Sequence, residues 1–156
     1  MSSILLIGTG RVAFHLGHAL HRADFRLAGI AGRDQAKTEA LARELGCPSF
    51  SLNDTLPHAD LRILAVSDDA ITKVADVLPK DGTPVAHLSG SKSLDLLAGH
   101  AYRGALWPIQ SFSPGSPIDL SRVPLVVDAN DDVTLHLIQD LAAKLSSTVV
   151  HLPFEQ

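Results

Sequence analysis

Four aliphatic residues, Ile4-Leu5-Leu6-Ile7, run directly into Gly8-Thr9-Gly10, and a helical apolar periodicity starts at the next residue. No other feature constrains the chain as much. A short apolar run closed by glycine is too brief for a buried helix and reads as a strand covered on both faces. The helical stretch runs from Arg11 to Arg22, with Val12, Leu16, Ala19 and Leu20 on one face. A strand, a glycine turn and a helix in immediate succession open a βαβ unit.

The same alternation continues. Arg26 to Ala31 reads as a second strand. Gln35 to Leu45 is a helix closed by Gly46 and Pro48, and Pro48 to Leu52 has room for only a very short third strand. Leu61 to Val66 is a fourth strand, continuously apolar except for Arg62, and Asp68-Asp69 precedes a helix from Ala70 to Leu78, where carboxylates suit the positive end of the helix dipole. Pro84 to Leu88 is a fifth strand and Ser91 to His100 a short helix. Gly104 to Trp107 is a sixth strand, followed over residues 108–122 by an irregular loop rich in Pro and Ser. Pro124 to Val127, Asp131 to Leu145 and Thr148 to Leu152 then read as strand, helix and strand. Strands alternating with helices predict an α/β, doubly wound, mostly parallel sheet with right-handed crossovers. The predicted order is 3-2-1-4-5-6, with extra C-terminal strands, in one domain over residues 1–156.

The turn Gly8-Thr9-Gly10-Arg11-Val12-Ala13 fits G-x-G-x-x-A in the strand-to-helix context that gives the pattern meaning. Gly8 permits the tight turn, Gly10 lets a pyrophosphate approach the backbone, and Ala13 lets helix pack on strand. The N–H groups of Arg11 and Val12 then face the phosphates with the positive end of the helix dipole behind them. The candidate site thus begins with Gly8, Thr9, Gly10, Arg11 and Val12.

The end of the second strand bears on which dinucleotide is taken. NAD-binding domains commonly place Asp or Glu there for the ribose hydroxyls, whereas a 2′-phosphate favours Arg. This chain reads Gly29-Ile30-Ala31-Gly32-Arg33-Asp34, so the first charged group is Arg33, which suits bidentate pairing with phosphate. Arg11 is a second candidate contact and Lys37 a weaker third. Asp34 takes either the NAD role or the N-cap of the helix at Gln35. The balance favours NADP(H), with NAD(H) as the alternative.

Ligands of open α/β sheets lie outside the carboxyl ends of the strands. Val66 ends strand four and Ser67, with Asp68 and Asp69, follows it, near the ribose that carries nicotinamide. Ser89-Gly90-Ser91-Lys92 follows strand five, near nicotinamide itself. Ser89 and Lys92 are the nearest polar candidates for substrate, although neither has an orienting partner legible in the sequence. His87, inside strand five, reads as a structural histidine. The eight histidines show no metal-ligand spacing, and no metal is expected. Cys47, the only cysteine, reads as a packed small residue.

Composition removes other classes. The core must be aliphatic, because 46% of residues are hydrophobic and only 4% aromatic. The net charge of -4 comes without a basic cluster, which argues against nucleic acid as a partner. No apolar run approaches the roughly 20 residues that span a bilayer. With no disulfide and no secretory signal, a cytoplasmic location is expected.

The glycine turn, Ala31-Gly32-Arg33-Asp34, Ala65-Val66-Ser67-Asp68-Asp69-Ala70-Ile71, His87-Leu88-Ser89-Gly90-Ser91 and Gly104-Ala105-Leu106-Trp107-Pro108-Ile109-Gln110-Ser111-Phe112 together resemble Rossmann-like proteins that carry a C-terminal helical domain of unknown function. Those proteins are in turn similar to pyrroline-carboxylate reductases, prephenate dehydrogenases and 6-phosphogluconate-dehydrogenase-type enzymes. The resemblance covers essentially the whole chain, which looks like the N-terminal half of such a protein. It implies hydride transfer with a small carbonyl, imine or hydroxy-acid substrate. It also implies a helical domain after the segment Leu152-Pro153-Phe154-Glu155-Gln156, a substrate site between the halves, and a homodimer formed through the helical domain. Trp107-Pro108 departs from the family's usual His-Pro, which removes that histidine from any role here. The catalytic residues stay unassigned, and this stretch by itself is expected to bind cofactor with little turnover. Two other readings stand beside this one. The first is a non-catalytic nucleotide sensor or scaffold. The second is a methyltransferase using S-adenosylmethionine, which the missing acid in Ala31-Gly32-Arg33 disfavours.

Overall fold

A computed structural model of the chain describes residues 2–154. Its centre is the pair of strands β1 (Ser3–Ile7) and β4 (Leu61–Leu64), buried at every position. Around them lie β2 (Arg26–Gly32), β3 (Ser49–Ser51), β5 (Val85–His87), β6 (Arg103–Pro108), β7 (Leu125–Ala129) and β8 (Val149–His151) in one sheet of order β3-β2-β1-β4-β5-β6-β7-β8. The expected core order and the extra C-terminal strands are both present. β1 to β6 run parallel, whereas β7 is antiparallel to β6 and parallel to β8.

Successive residues of a strand face opposite sides, so each strand feeds two cores. Ile4, Leu6, Ile30, Ile63, Ala86, Leu106 and Val127 face helices α1 (Arg11–Arg22), α2 (Gln35–Leu45) and α4 (Asp132–Leu145). Leu5, Ile7, Ala31, Leu64 and Val85 face α3 (Ile71–Val77) and Leu97. With helices on both faces, the sheet is doubly wound.

The reversal at β7 has a local cause. A parallel return needs a crossover, usually a helix, and the Pro- and Ser-rich stretch after β6 holds only a 3-10 turn at Leu120–Arg122. The loop is nevertheless anchored. Buried His15 of α1 donates from Nε2 to the Ser113 carbonyl at 2.8 Å, accepts at Nδ1 from the Ile118 N–H at 3.2 Å, and stacks on Phe112 at 5.2 Å. Two bonds from one ring fix its orientation.

Other boundaries moved. The stretch Ser91 to His100, expected as a helix, forms only a 3-10 turn at Leu94–Leu97. Here His87 of β5 holds the Ser93 carbonyl at 3.2 Å, Leu97 is fully buried, and His100 donates to the Ala75 carbonyl at 2.8 Å, so anchors from other elements at both ends override helix propensity. β4 and β5 are shorter than expected, which leaves Ala65, Val66 and Leu88 outside the strands. On α1, Val12 is only half-buried, while Ala13 and His15 join Leu16, Ala19 and Leu20 inside.

Candidate functional site

The carboxyl ends of β1, β2, β4 and β5 lie side by side along one edge of the sheet. At its centre Gly8 has φ +128°, and a Cβ there would lie 2.1 Å from the Ala65 carbonyl oxygen, so only glycine fits. The same atom would lie 3.4 Å from Val66 Cγ1, which places Val66 beside the turn. Gly10 is different: its φ of -81° suits any residue, and a Cβ would meet nothing within 4 Å. The space over Gly10 is open, and Gly10 caps α1 without a side-chain bond. The first intrahelical bond comes from Phe14 to the Gly10 carbonyl at 3.0 Å. The N–H groups of Arg11, Val12 and Ala13 therefore have no intrahelical acceptor, and a helix start with free donors presents partial positive charge. Thr9 is half-buried, and the side chain of Arg11 is exposed.

At the end of β2, Arg33 is exposed and forms no ion pair among the described residues. Asp34 is committed as a cap: its Oδ1 accepts from the Lys37 N–H at 3.1 Å. Arg33 lines two clefts. One, about 360 Å³, is shared with Ser51, Leu52, Asn53, Lys73, Val74 and Val77. The other, about 320 Å³, includes Gln35, Thr38, Glu39 and Asp54. Lys37 lines neither, standing instead with Thr9, Phe14 and Glu44 between α1 and α2.

The loops after β4 and β5 meet. Ser91 Oγ donates to Asp68 Oδ2 at 3.3 Å, and Ser89 Oγ lies 3.3 Å from Ser91 Oγ, making a short hydroxyl chain that ends on a carboxylate. Ser89 thus has the orienting partners that the sequence did not reveal. These residues line a cleft of about 420 Å³ with Leu88, Gly90 and Trp107. Gly90 lies against the indole so closely that a Cβ would fall 2.2 Å from the ring. Trp107 is therefore the wall of the cleft. Ser67, at the rim, is exposed and makes no side-chain cap bond. Lys92 is half-buried and lies outside this lining.

Beneath the cleft His87 is fully buried. It accepts at Nδ1 from the Ser89 N–H at 3.1 Å and donates from Nε2 to the Ser93 carbonyl at 3.2 Å. Burial pushes its pKa down, against a smaller opposing pull from the Ser93 bond and Asp68, so the ring stays neutral and structural, as the sequence suggested. Beyond β8 the chain returns over the sheet: the Phe154 N–H donates to Asp128 Oδ2 at 2.8 Å, and its ring reaches His87 at 6.1 Å. Glu155 and Gln156, the end of the segment that resembles a domain junction, lie outside the described residues.

The sequence model of the Rossmann-like domain matches residues 2–110, from β1 through β6. The chain belongs to the Rossmann-like domain family. β7, α4 and β8 extend this Rossmann-like domain beyond the matched core. The domain is similar to a protein from Bacteroides fragilis named as an NADP oxidoreductase, at 25% identity and TM-score 0.87, over 99% of this chain and 62% of that one. It shares its fold with prephenate dehydrogenase from A. aeolicus, solved with hydroxyphenyl propionate and NAD+, at 16% identity and TM-score 0.73, over 98% of this chain and 60% of that one. It also shares the fold with a pyrroline-5-carboxylate reductase from Coxiella burnetii, at 18% identity and TM-score 0.71, over 97% of this chain and 58% of that one. The Rossmann-like domain thus spans less than two thirds of each of these structures. No curated protein sequence matches it.

Among the described residues, no cluster of three or more His, Cys, Asp or Glu is placed to hold a metal ion. No described helix is long and apolar enough to cross a membrane. Cys47 is half-buried against the first core, and burial pushes its thiol pKa up, as for a packed residue.

Proposed function

We propose that this domain binds NADP(H) along the carboxyl-end groove as the cofactor-binding part of an oxidoreductase. The observation that carries the reading is the uncapped start of α1, with free N–H groups and open space over Gly10, beside a strand end whose first charge is Arg33. The groove fits the group. Gly8 makes the turn, and Thr9, Gly10, Arg11 and Val12 offer backbone donors to a pyrophosphate. Arg33 takes the 2′-phosphate, because the neighbouring carboxylate of Asp34 is already bonded as a helix cap. Val66 and Ser67 lie against the ribose next to nicotinamide, and Ser89 offers its hydroxyl to the carboxamide.

Bound nicotinamide supplies the hydride in this chemistry. The chain contributes positioning. The Ser89–Ser91–Asp68 chain fixes hydroxyl dipoles at the cleft, and Trp107 keeps one side of it dry. We assign a small carbonyl, imine or hydroxy acid as substrate, a cytoplasmic location, and a homodimer formed through a following helical domain. The similarity to the Bacteroides fragilis protein named as an NADP oxidoreductase supports the cofactor choice.

Fluorescence titration tests the reading. NADPH is expected to bind more tightly than NADH, and Arg33→Ala to weaken NADPH about tenfold, equivalent to about 1.4 kcal/mol, with little change for NADH. Tighter NADH binding reverses the cofactor choice, and equal losses for both dinucleotides remove Arg33 from the phosphate role.

A further inference from the structure

The two clefts that share Arg33 differ in charge. On the α2 side, Arg33 shares its cleft with the carboxylates of Glu39 and Asp54. On the α3 side it shares its cleft with Lys73 and no acid, across a floor of Ser51, Leu52 and Asn53. Lys73 stands in the first turn of α3, exposed, and forms no ion pair among the described residues. Lys37, in the first turn of α2, is in a separate cleft that Arg43 and Glu44 also line.

A phosphate monoester carries about -1.5 to -2 at neutral pH, so one arginine leaves charge unmatched and a second cation is favoured. Two acids beside the first cation work against it. From this asymmetry we infer that Lys73 is the second cation of a phosphate clamp, and that the 2′-phosphate of NADP(H) lies between Arg33 and Lys73 on the α3 side. The inference rests on NADP(H) as the dinucleotide. It makes Lys73 a specificity-determining residue: its ammonium offers point-charge attraction, while the Arg33 guanidinium supplies paired donors. Ser51, the last residue of β3, and Asn53, in the loop after it, line the same cleft and carry neutral hydrogen-bonding groups.

The test is direct binding to the full chain of NADPH, NADH and 2′,5′-ADP, a probe that carries the 2′-phosphate without nicotinamide. The variants are Lys73→Met, Lys73→Arg and Lys37→Met. Lys73→Met is expected to weaken NADPH and 2′,5′-ADP about five- to tenfold and to leave NADH within about twofold. Lys73→Arg restores most of the loss, and Lys37→Met leaves all three ligands unchanged. The ratio of NADPH to NADH affinity in the wild type falls as salt is raised, and falls less in Lys73→Met. An unchanged melting curve for Lys73→Met excludes a folding cause. If the wild type prefers NADPH but Lys73→Met is silent, the clamp is wrong and the cofactor assignment stands. The same holds if Lys37→Met carries the loss. If the wild type binds NADH as tightly as NADPH, the assignment and the clamp fall together.

Discussion

The backbone N–H of Ser89 points at Nδ1 of His87, 3.1 Å away, and the opposite ring nitrogen donates to the Ser93 carbonyl at 3.2 Å. The loop after β5, which lines the cleft with Trp107, is therefore held from below by one neutral imidazole. Protonation puts a hydrogen on Nδ1, facing another donor, and breaks the bond to Ser89. Burial lowers the pKa of His87 below its ordinary 6.5. The unfolded chain thus binds the proton more readily than the folded one, so this contribution to stability is complete above about pH 6.5 and is lost as the pH falls below it through the folded value. Urea unfolding between about pH 7.5 and pH 5.5 is expected to show a steeper loss for the wild type than for His87→Leu. Parallel slopes would sink this account.

The two glycines of the turn separate stability from binding. Gly8→Ala forces a Cβ onto the Ala65 carbonyl at a positive φ and is expected to cost about 2 kcal/mol or more. Gly10→Ala meets open space at an ordinary φ, so the free protein should lose less than about 1 kcal/mol, mainly from a poorer helix cap. Its methyl group instead occupies the space over the free N–H groups, and dinucleotide affinity should drop sharply. Thermal melts and NADPH titrations on both variants check the contrast. A Gly10→Ala protein that keeps full affinity argues that the phosphates do not lie there.

How much of this was legible depends on how local each cause is. α1 and α2 were readable to the residue because their signals adjoin them: Gly10 at one start, the Asp34 cap at the other, Gly46 at the stop. The Leu94–Leu97 turn was not, because Leu97 and His100 are fixed by α3, to which His100 bonds across 25 positions. The anchoring of the loop after β6 depends on His15, about a hundred positions away, and no periodicity reports a bond of that span. In the site, Gly8, Gly10 and Arg33 announced themselves by motif. The Asp68–Ser91–Ser89 chain and the cleft shared by Arg33 and Lys73 exist only once separate segments converge at the sheet edge. Lys73 looked like any lysine on a helix.

Away from the groove, buried Arg62 of β4 donates to both carboxylate oxygens of Asp81, at 3.1 and 2.9 Å, and to the Pro79 carbonyl at 2.9 Å. The Arg62 bond holds the Asp81 carboxyl well below the usual carboxylate range. Its contribution to stability is therefore present above the ordinary carboxylate pKa and is lost as the pH falls through the depressed folded value. Asp81 is half exposed, so solvent screening keeps the energy modest, and Asp81→Asn is expected to cost about 1–2 kcal/mol at neutral pH. The difference between wild type and variant should hold down to about pH 5 and shrink in stronger acid. A difference that grows on acidification contradicts this ion pair. Dinucleotide affinity should be unaffected.

Trp107, the only tryptophan, lines the same cleft as Ser89 and Asp68 and packs against Gly90, so it reports on whatever enters that cleft. The absorption of reduced nicotinamide overlaps indole emission, so NADPH should quench Trp107 by energy transfer, and NADP+ should quench it less. Trp107→Phe should abolish that signal while direct NADPH fluorescence still records binding. Turnover is another matter. The rim residues Asp68, Gly90 and Ser91 are exposed, and the described residues supply the sheet-side wall of the cleft with nothing facing it. Hydride transfer needs the substrate carbon held against the ring and shielded from water, and positioning supplies much of the acceleration. Residues 1–156 alone are therefore expected to bind NADPH, quench Trp107, and oxidise it at little above the background rate with imines, keto acids or 3-keto acids. Ser89→Ala should then leave NADPH affinity within about tenfold, because one neutral hydrogen bond is worth about 0.5–1.5 kcal/mol at most. In a longer chain that supplies the opposite wall, Ser89→Ala should lower kcat more than it raises KM, since its hydroxyl chain to Asp68 acts on orientation. Brisk turnover by the 156 residues alone would mean that the substrate is held by side chains already in this cleft, with Ser89, Ser91 and Asp68 the first to examine.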